Sequence, residues 1–209
     1  MERGVSKIYN ELNYQWILNA PRKHPLAYLL PTTEQHILAA VECGQKFDIQ
    51  VVPKSGRHSY EKYSYGERNS VVVDLRKMGT VILQSPMTAE VGPGALTGEM
   101  SAKLWNMGKL FIPVGMCPSV GISGIATGGG YGFFDRSYGL TLDSIFEMNI
   151  VTATQGLITV NNNTNSDLFW ALRGAGAGSY GIITKFFFSA PPCTTKHICR
   201  NSGLCFGKL

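Results

Sequence analysis

Hydrophobic and polar positions along this chain change their period several times, and each change marks an element. After Pro31 the run T-T-E-Q starts a helix: Thr32 with Gln35 fits a capping box, and Ile37, Leu38, Val41 and Phe47 recur near helical spacing. The run Ile49 to Val52 reads as a short strand leading into K-S-G-R-H-S-Y. Ser70 to Leu75 (S-V-V-V-D-L) has a buried-strand pattern, and Val81–Leu83 and Thr88–Val91 predict two more strands. A helix is predicted over Thr97 to Met107, stopping at Gly108, with Leu110–Val114 as the next strand. Ile145–Ala153 and Leu157–Val160 form a hairpin pattern across Gln155-Gly156. Ser166 or Asp167 caps a helix through L-F-W-A-L-R that ends at Gly174, and G-I-I-T-K-F-F-F closes the pattern with a strand. Helices and strands mixed in this order predict an α+β fold.

Composition narrows the class. A chain of 209 residues holds one or two domains, and 44% hydrophobic against 16% charged residues describes a globular protein with a filled interior. The formal charge of +5 suggests nucleic acid at first sight. The last 19 residues, however, hold three of the bases and no acid, which leaves only +2 for residues 1–190. The remaining bases are scattered among acids with no basic stripe, so no nucleic-acid partner is expected. No stretch approaches the ~20 apolar residues of a membrane span, so no membrane partner is expected either. The opening M-E-R-G-V-S-K-I-Y-N lacks the apolar core of a secretory signal. After F-F-F-S-A-P-P the alternation ends. Cys193, Cys199 and Cys205 follow at C-x5-C-x5-C with His197 among them, unlike the closer cysteine pairs of zinc sites. No metal site is expected, and residues 191–209 are expected to lie outside the fold as a non-native or disordered tail.

Glycine marks the chemistry. Gly115, Gly121, Gly124, Gly128, Gly129, Gly130, Gly132 and Gly139 fall within 25 positions. Two segments, K-S-G-R-H-S-Y at 54–60 and P-V-G-M-C-P-S-V-G-I-S-G-I-A-T-G-G-G-Y-G at 113–132, each set one nucleophile, His58 or Cys117, among glycines. Glycine leaves the backbone amides uncovered, and successive amides facing one concavity hold a phosphate or an electron-rich ring. Two such loops suggest a large anionic cofactor that is also held covalently. Taken singly, a histidine is most often a satisfied surface or core residue, a cysteine a small buried hydrophobe, and glycines ordinary turns. No Walker-type P-loop occurs, and no G-x-G-x-x-G lies between a strand and a helix.

The motifs K-S-G-R-H-S-Y-E, V-V-V-D-L, V-G-P-G-A-L-T-G-E, P-V-G-M-C-P-S-V-G, G-G-G-Y-G, Y-G-L-T-L-D-S and D-L-F-W-A-L-R-G-A-G-A-G-S-Y-G-I-I-T follow one another over roughly residues 20–190. In this order they resemble the FAD-linked oxidases of the berberine-bridge-enzyme type, in the vanillyl-alcohol oxidase and p-cresol methylhydroxylase (PCMH) flavoprotein superfamily. The resemblance implies a PCMH-type FAD-binding domain over residues 21–190, built from two α+β subdomains that clasp an extended FAD, with residues 1–20 as an N-terminal extension. It implies an FAD-dependent oxidoreductase taking a hydride from a small-molecule alcohol, carbohydrate or amine-type carbon. His58 matches the histidine bonded to the flavin 8α-methyl group, and Cys117 the cysteine bonded to flavin C6; imidazole nitrogen and thiolate are the side-chain nucleophiles suited to that electron-poor ring. The amides of Ser55, Gly56, Arg57 and Ser59 would cradle the pyrophosphate. Gly121, Ser123 and Gly124, with Gly128 beyond them, would line the second loop, and the backbone of Gly181 and Ile182 would meet the adenine end.

The chain also departs from the family. Arg57 stands where the family has glycine in G-G-H, and is expected to reach a phosphate oxygen rather than strain the turn. Ser123 replaces a glycine of G-I-G-G. Ile122 matches a site that governs oxygen access to the flavin, and its bulk implies a dehydrogenase-like enzyme. Family members continue into a substrate-binding domain that carries the catalytic base, so the resemblance implies a C-terminally truncated chain with the substrate domain missing. No residue here is assigned as that base, and Tyr131, Tyr138 and Tyr180 read as packing residues. The alternative is an FAD-binding module with no turnover of its own.

Overall fold

The structure, a computed structural model, describes residues 7–18 and 21–193. In chain order the elements are α1 (Lys7–Leu12), β1 (Ala27–Leu29), α2 (Glu34–Phe47), β2 (Gln50–Lys54), β3 (Ser70–Asp74), β4 (Val81–Ser85), β5 (Thr88–Val91), α3 (Thr97–Gly108), α4 (Ile122–Thr127), α5 (Asp135–Tyr138), β6 (Ile145–Thr152), β7 (Gly156–Asn161), α6 (Ser166–Leu172) and β8 (Ile182–Ser189). They build two sheets. One is parallel, in the order β1-β3-β2, and the other antiparallel, in the order β4-β5-β8-β6-β7.

The unbroken V-V-V of β3 suits the middle of a parallel sheet, where both faces are covered. Val72 and Val73 are wholly buried there. In the antiparallel sheet β8 lies between β5 and β6, and its alternate residues Phe186 and Phe188 enter the main core. Met100 and Leu104 of α3, Ile122 and Ala126 of α4, and Phe169 and Leu172 of α6 close that core. The helix α2 joins the two sheets. Its Ile37 packs in one cluster with Val73 and Leu75 of the first subdomain and Val151 and Ile182 of the second.

Most expected elements are present, with local corrections. The cap of α2 is Thr33, whose hydroxyl accepts from the His36 amide at 3.3 Å; Thr32 instead bonds the His36 ring. Asn165, in the left-handed region, precedes α6 in place of a Ser166 or Asp167 cap. Leu110–Val114 is not a strand. Pro113 has no amide to give a ladder, and its carbonyl accepts from the Thr141 hydroxyl at 2.6 Å. The start of this segment pairs with residues 191–193: Leu110 bridges Pro192, the Phe111 amide donates to the Pro191 carbonyl at 3.0 Å, and the Cys193 amide donates to the Lys109 carbonyl at 2.9 Å. The first three residues of the expected tail thus lie along the fold, and 194–209 fall outside the described residues. The expected N-terminal extension also packs where it is described. Leu12, Asn13 and Gln15 are buried, and the Lys54 ammonium donates to the Leu12 carbonyl at 2.6 Å. Among the described residues no helix is long and apolar enough to cross a membrane.

Candidate functional site

Three turns converge at the junction of the subdomains. β2 delivers the loop from Ser55, β5 runs into Gly92-Pro93-Gly94, and the segment from Pro113 leads through Gly121 into α4. The carbonyl of Pro93 accepts from the Ser55 hydroxyl at 2.8 Å and the Ser123 hydroxyl at 2.7 Å, tying all three turns to one atom. Gly56 and Gly121 press backbone to backbone: a Cβ on Gly56 would lie 1.9 Å from the Gly121 nitrogen, and one on Gly121 would lie 2.2 Å from the Gly56 nitrogen. Gly121 has φ −79°, so space rather than backbone angle demands glycine there. The N-terminus of α3 holds the far side of the loop, with the Thr97 hydroxyl donating to the Cys117 carbonyl at 2.9 Å and the Gly98 amide to the Pro118 carbonyl at 3.0 Å.

This junction brings the two nucleophiles together. His58 Nε2 lies 2.9 Å from the Ser119 hydroxyl oxygen, and the Cys117 sulfur lies 3.3 Å from that same oxygen. Trp16 stacks on the His58 ring at 4.5 Å with 29° between the planes. Burial, and after it the neighbouring Arg57 charge, hold the His58 pKa below the ordinary histidine range. The ring is therefore neutral at pH 7 and carries a nucleophilic lone pair. Cys117 is an exposed free thiol. Because burial is the larger cause, Trp16→Ala is expected to let the His58 pKa rise toward the ordinary value. Ring-proton NMR titration checks this; an unchanged or lower midpoint would show that Trp16 does not shield the imidazole.

The remaining expected residues divide into two groups. Among the described residues no carbonyl accepts from the amides of Gly56, Arg57, His58 or Ser59, so four successive donors remain uncommitted beside the junction. A Cβ on Gly124 would meet nothing within 4 Å, while Gly128 caps α4 by donating to the Gly124 carbonyl at 3.1 Å. Arg57 sits in the left-handed region at φ +71°, with its guanidinium 5.6 Å from the Tyr14 ring centroid and its carbonyl accepting from the Tyr65 hydroxyl at 3.0 Å. Gly181 and Ile182 stand away from this cluster at the head of β8. A Cβ on Gly181 would strike the Val151 carbonyl at 2.3 Å, and the Ile182 side chain is buried in the α2 joint.

Two readings need correction. Ile122 does not face the junction: it is wholly buried in the main core, because Ile122 and Ala126 form the apolar face of α4. Tyr131 is 80% exposed and Tyr180 is exposed too, so of the three tyrosines only Tyr138 is a packing residue, edge-on to Phe111 at 5.3 Å. Two site residues escaped the sequence. Ser119 lay unremarked inside C-P-S-V-G, and Trp16 lay in the segment read as an extension, where N-Y-Q-W was the available aromatic signal.

Uncommitted amides, an open position at Gly124, a neutral imidazole and a free thiol fit an anionic cofactor with an electron-poor ring. Two glycine-rich turns closed on one another beside such a pair fit a flavin-binding domain. The chain belongs to the FAD binding domain family, whose profile matches residues 25–161. Its two subdomains have the PCMH-type architecture of the FAD-linked oxidases of the berberine-bridge-enzyme type. The chitooligosaccharide oxidase of Gibberella zeae is 41% identical over 165 residues, covering 78% of this chain and 33% of that protein. The wild-type BBE-like 1 of Physcomitrella patens superposes with a TM-score of 0.85 at 41% identity, covering 90% of this chain and 41% of its own. A glucooligosaccharide oxidase of Acremonium strictum, described with 6-S-cysteinyl, 8α-N1-histidyl FAD, superposes with a TM-score of 0.79 at 35% identity, covering 82% and 36%. The chain spans about a third of the length of the curated relatives it matches.

Proposed function

We propose that this chain holds FAD through two covalent bonds, from His58 to the 8α-methyl carbon and from Cys117 to C6, as part of an oxidoreductase that oxidises a hydroxyl-bearing carbon of a carbohydrate. The observation that carries the reading is the single Ser119 hydroxyl within reach of both nucleophiles. With Nε2 engaged by Ser119, Nδ1 is the His58 nitrogen left to bond the cofactor. The amides of Gly56 to Ser59 would bind the pyrophosphate, and Gly121, Ser123, Gly124 and Gly128 would shape the opposite wall. The backbone at Gly181 and Ile182 would serve the adenine end. When bound, the flavin supplies the electron-accepting ring, and the protein's share is to hold and orient it. The carbohydrate assignment rests on similarity to chitooligosaccharide, xylooligosaccharide and glucooligosaccharide oxidases.

The test is to express the 209-residue chain, denature it and follow flavin colour on the polypeptide. Wild type is expected to keep its colour, His58→Ala and Cys117→Ser each to keep part of it, and the double variant to lose all of it. Release of all colour from wild type overturns the reading. The second reading is an FAD-binding module with no turnover of its own. Anaerobic mixing with chito-, xylo- and glucooligosaccharides separates the two: bleaching of the retained colour marks turnover, and unchanged colour marks the module.

A further inference from the structure

We propose that Ser119 is a positioning residue whose hydroxyl couples His58 and Cys117 into one proton-sharing unit. The significance of that unit for the cofactor rests on the attachment reading above; its existence does not. The geometry is a three-atom chain, Cys117 Sγ to Ser119 Oγ at 3.3 Å and Ser119 Oγ to His58 Nε2 at 2.9 Å. A hydroxyl can accept one proton while giving another, so it can link the two groups in either direction.

The transfer conserves every proton. The thiol proton of Cys117 passes to Ser119 Oγ as the serine's own proton passes to Nε2 of the neutral imidazole. A thiolate and an imidazolium result, and the hydroxyl is restored. Reversal returns a thiol and an imidazole. At fixed proton count the unit therefore activates the Cys117 sulfur, with His58 Nε2 as the acceptor of its proton. The surroundings hold the chain in register. Trp16 stacks on one face of the ring, Arg57 is the charged group acting on it, and the Thr97 hydroxyl and Gly98 amide fix the Cys117 and Pro118 carbonyls.

The test uses the 209-residue chain produced in flavin-starved cells, where Cys117 remains a thiol. Its alkylation by uncharged iodoacetamide is followed across pH by peptide mass spectrometry, which separates Cys117 from Cys43, the other free thiol among the described residues. The neutral imidazole can take up the thiol proton through Ser119 as the sulfur reacts, and this base assistance is expected to raise the pH 7 rate about tenfold over an uncoupled site. His58→Gln and Ser119→Ala should each remove that gain, the double variant should lose nothing more, and Ser119→Thr should keep it. A wild-type rate in Ser119→Ala, losses that multiply in the double variant, or loss in Ser119→Thr would each overturn the proposal. The colour assay separates this idea from the attachment: coupled alkylation with colour that washes out sinks the attachment alone, and retained colour with uncoupled alkylation sinks the unit alone.

Discussion

Asp74→Ala is expected to destabilise the first subdomain by about 3–5 kcal/mol, because it strands a buried ammonium without a counter-ion. The side chains of Lys54 and Asp74 are both wholly inaccessible and 2.9 Å apart. The Lys54 nitrogen also lies 4.5 Å over the Tyr28 ring and 5.2 Å over the Tyr65 ring, surroundings that cannot replace a carboxylate. Arg76, the outer partner, grips the other side of Asp74 with two bonds of 2.9 and 2.8 Å. Burial pushes the Asp74 pKa up, but the hydrogen bonds and charges of Arg76 and Lys54 outweigh it and hold the carboxyl below the ordinary range. Burial keeps Lys54 below its ordinary value, and Asp74 opposes this only in part. Lys54 is thus the strained member, and Lys54→Met is expected to cost well under half as much, since Asp74 keeps the Arg76 fork. The pH dependence follows from the lowered carboxyl. Its stabilisation is complete above the unfolded carboxyl value of about 4 and is lost as pH falls through the lower folded value. Urea melts at pH 7 should therefore show the full gap between wild type and Asp74→Ala, and the gap should narrow below about pH 4. A gap under 1 kcal/mol at pH 7 would mean that Lys54 finds another partner.

Lys54 matters for the site because the next residue, Ser55, begins the histidine loop. Here the division between what was legible in the chain and what was not becomes physical. Periodicity located β3, α3, the hairpin of β6 and β7, and β8, because burial of one face or of a whole strand is written in consecutive residues. The glycine clustering and the two embedded nucleophiles located the loops for a similar local reason. Leu110–Val114 misled, since its apolar residues enter the core without a ladder and the bridge partner, Pro192, lies far along the chain. Ile122 misled differently. The resemblance placed it at a site governing oxygen access, but helical spacing with Ala126 turns it inward. Ser119 and Trp16 were invisible as site residues because their meaning depends on contact with His58, which for Ser119 bridges 61 positions. Nothing in a single-sequence period encodes such a contact.

Gly121→Ala is expected to part the two loops and abolish retention of flavin through both bonds. The added carbon would sit 2.2 Å from the Gly56 nitrogen, 2.2 Å from the Ser55 hydroxyl and 2.7 Å from the Gly56 Cα. Carbon prefers non-bonded neighbours at about 3.5 Å, so the backbones must separate by roughly 1 Å. No rotamer relieves the clash, since the main obstacles are main-chain atoms. Displacement of Ser55 strains its bond to the Pro93 carbonyl and draws His58 away from Ser119. Overpacking of this kind costs about 1–3 kcal/mol, which a domain of this size can survive while its site cannot. Gly124→Ala is the control. That position opens to free space within α4, where alanine is worth up to about 1 kcal/mol over glycine, so the fold should hold or gain while the filled cradle takes up less FAD. Thermal melts and denatured-state colour, measured together on both variants, decide the matter. If Gly121→Ala melts with wild type and keeps its colour, the two loops are not in contact, and the cradle they form together does not exist.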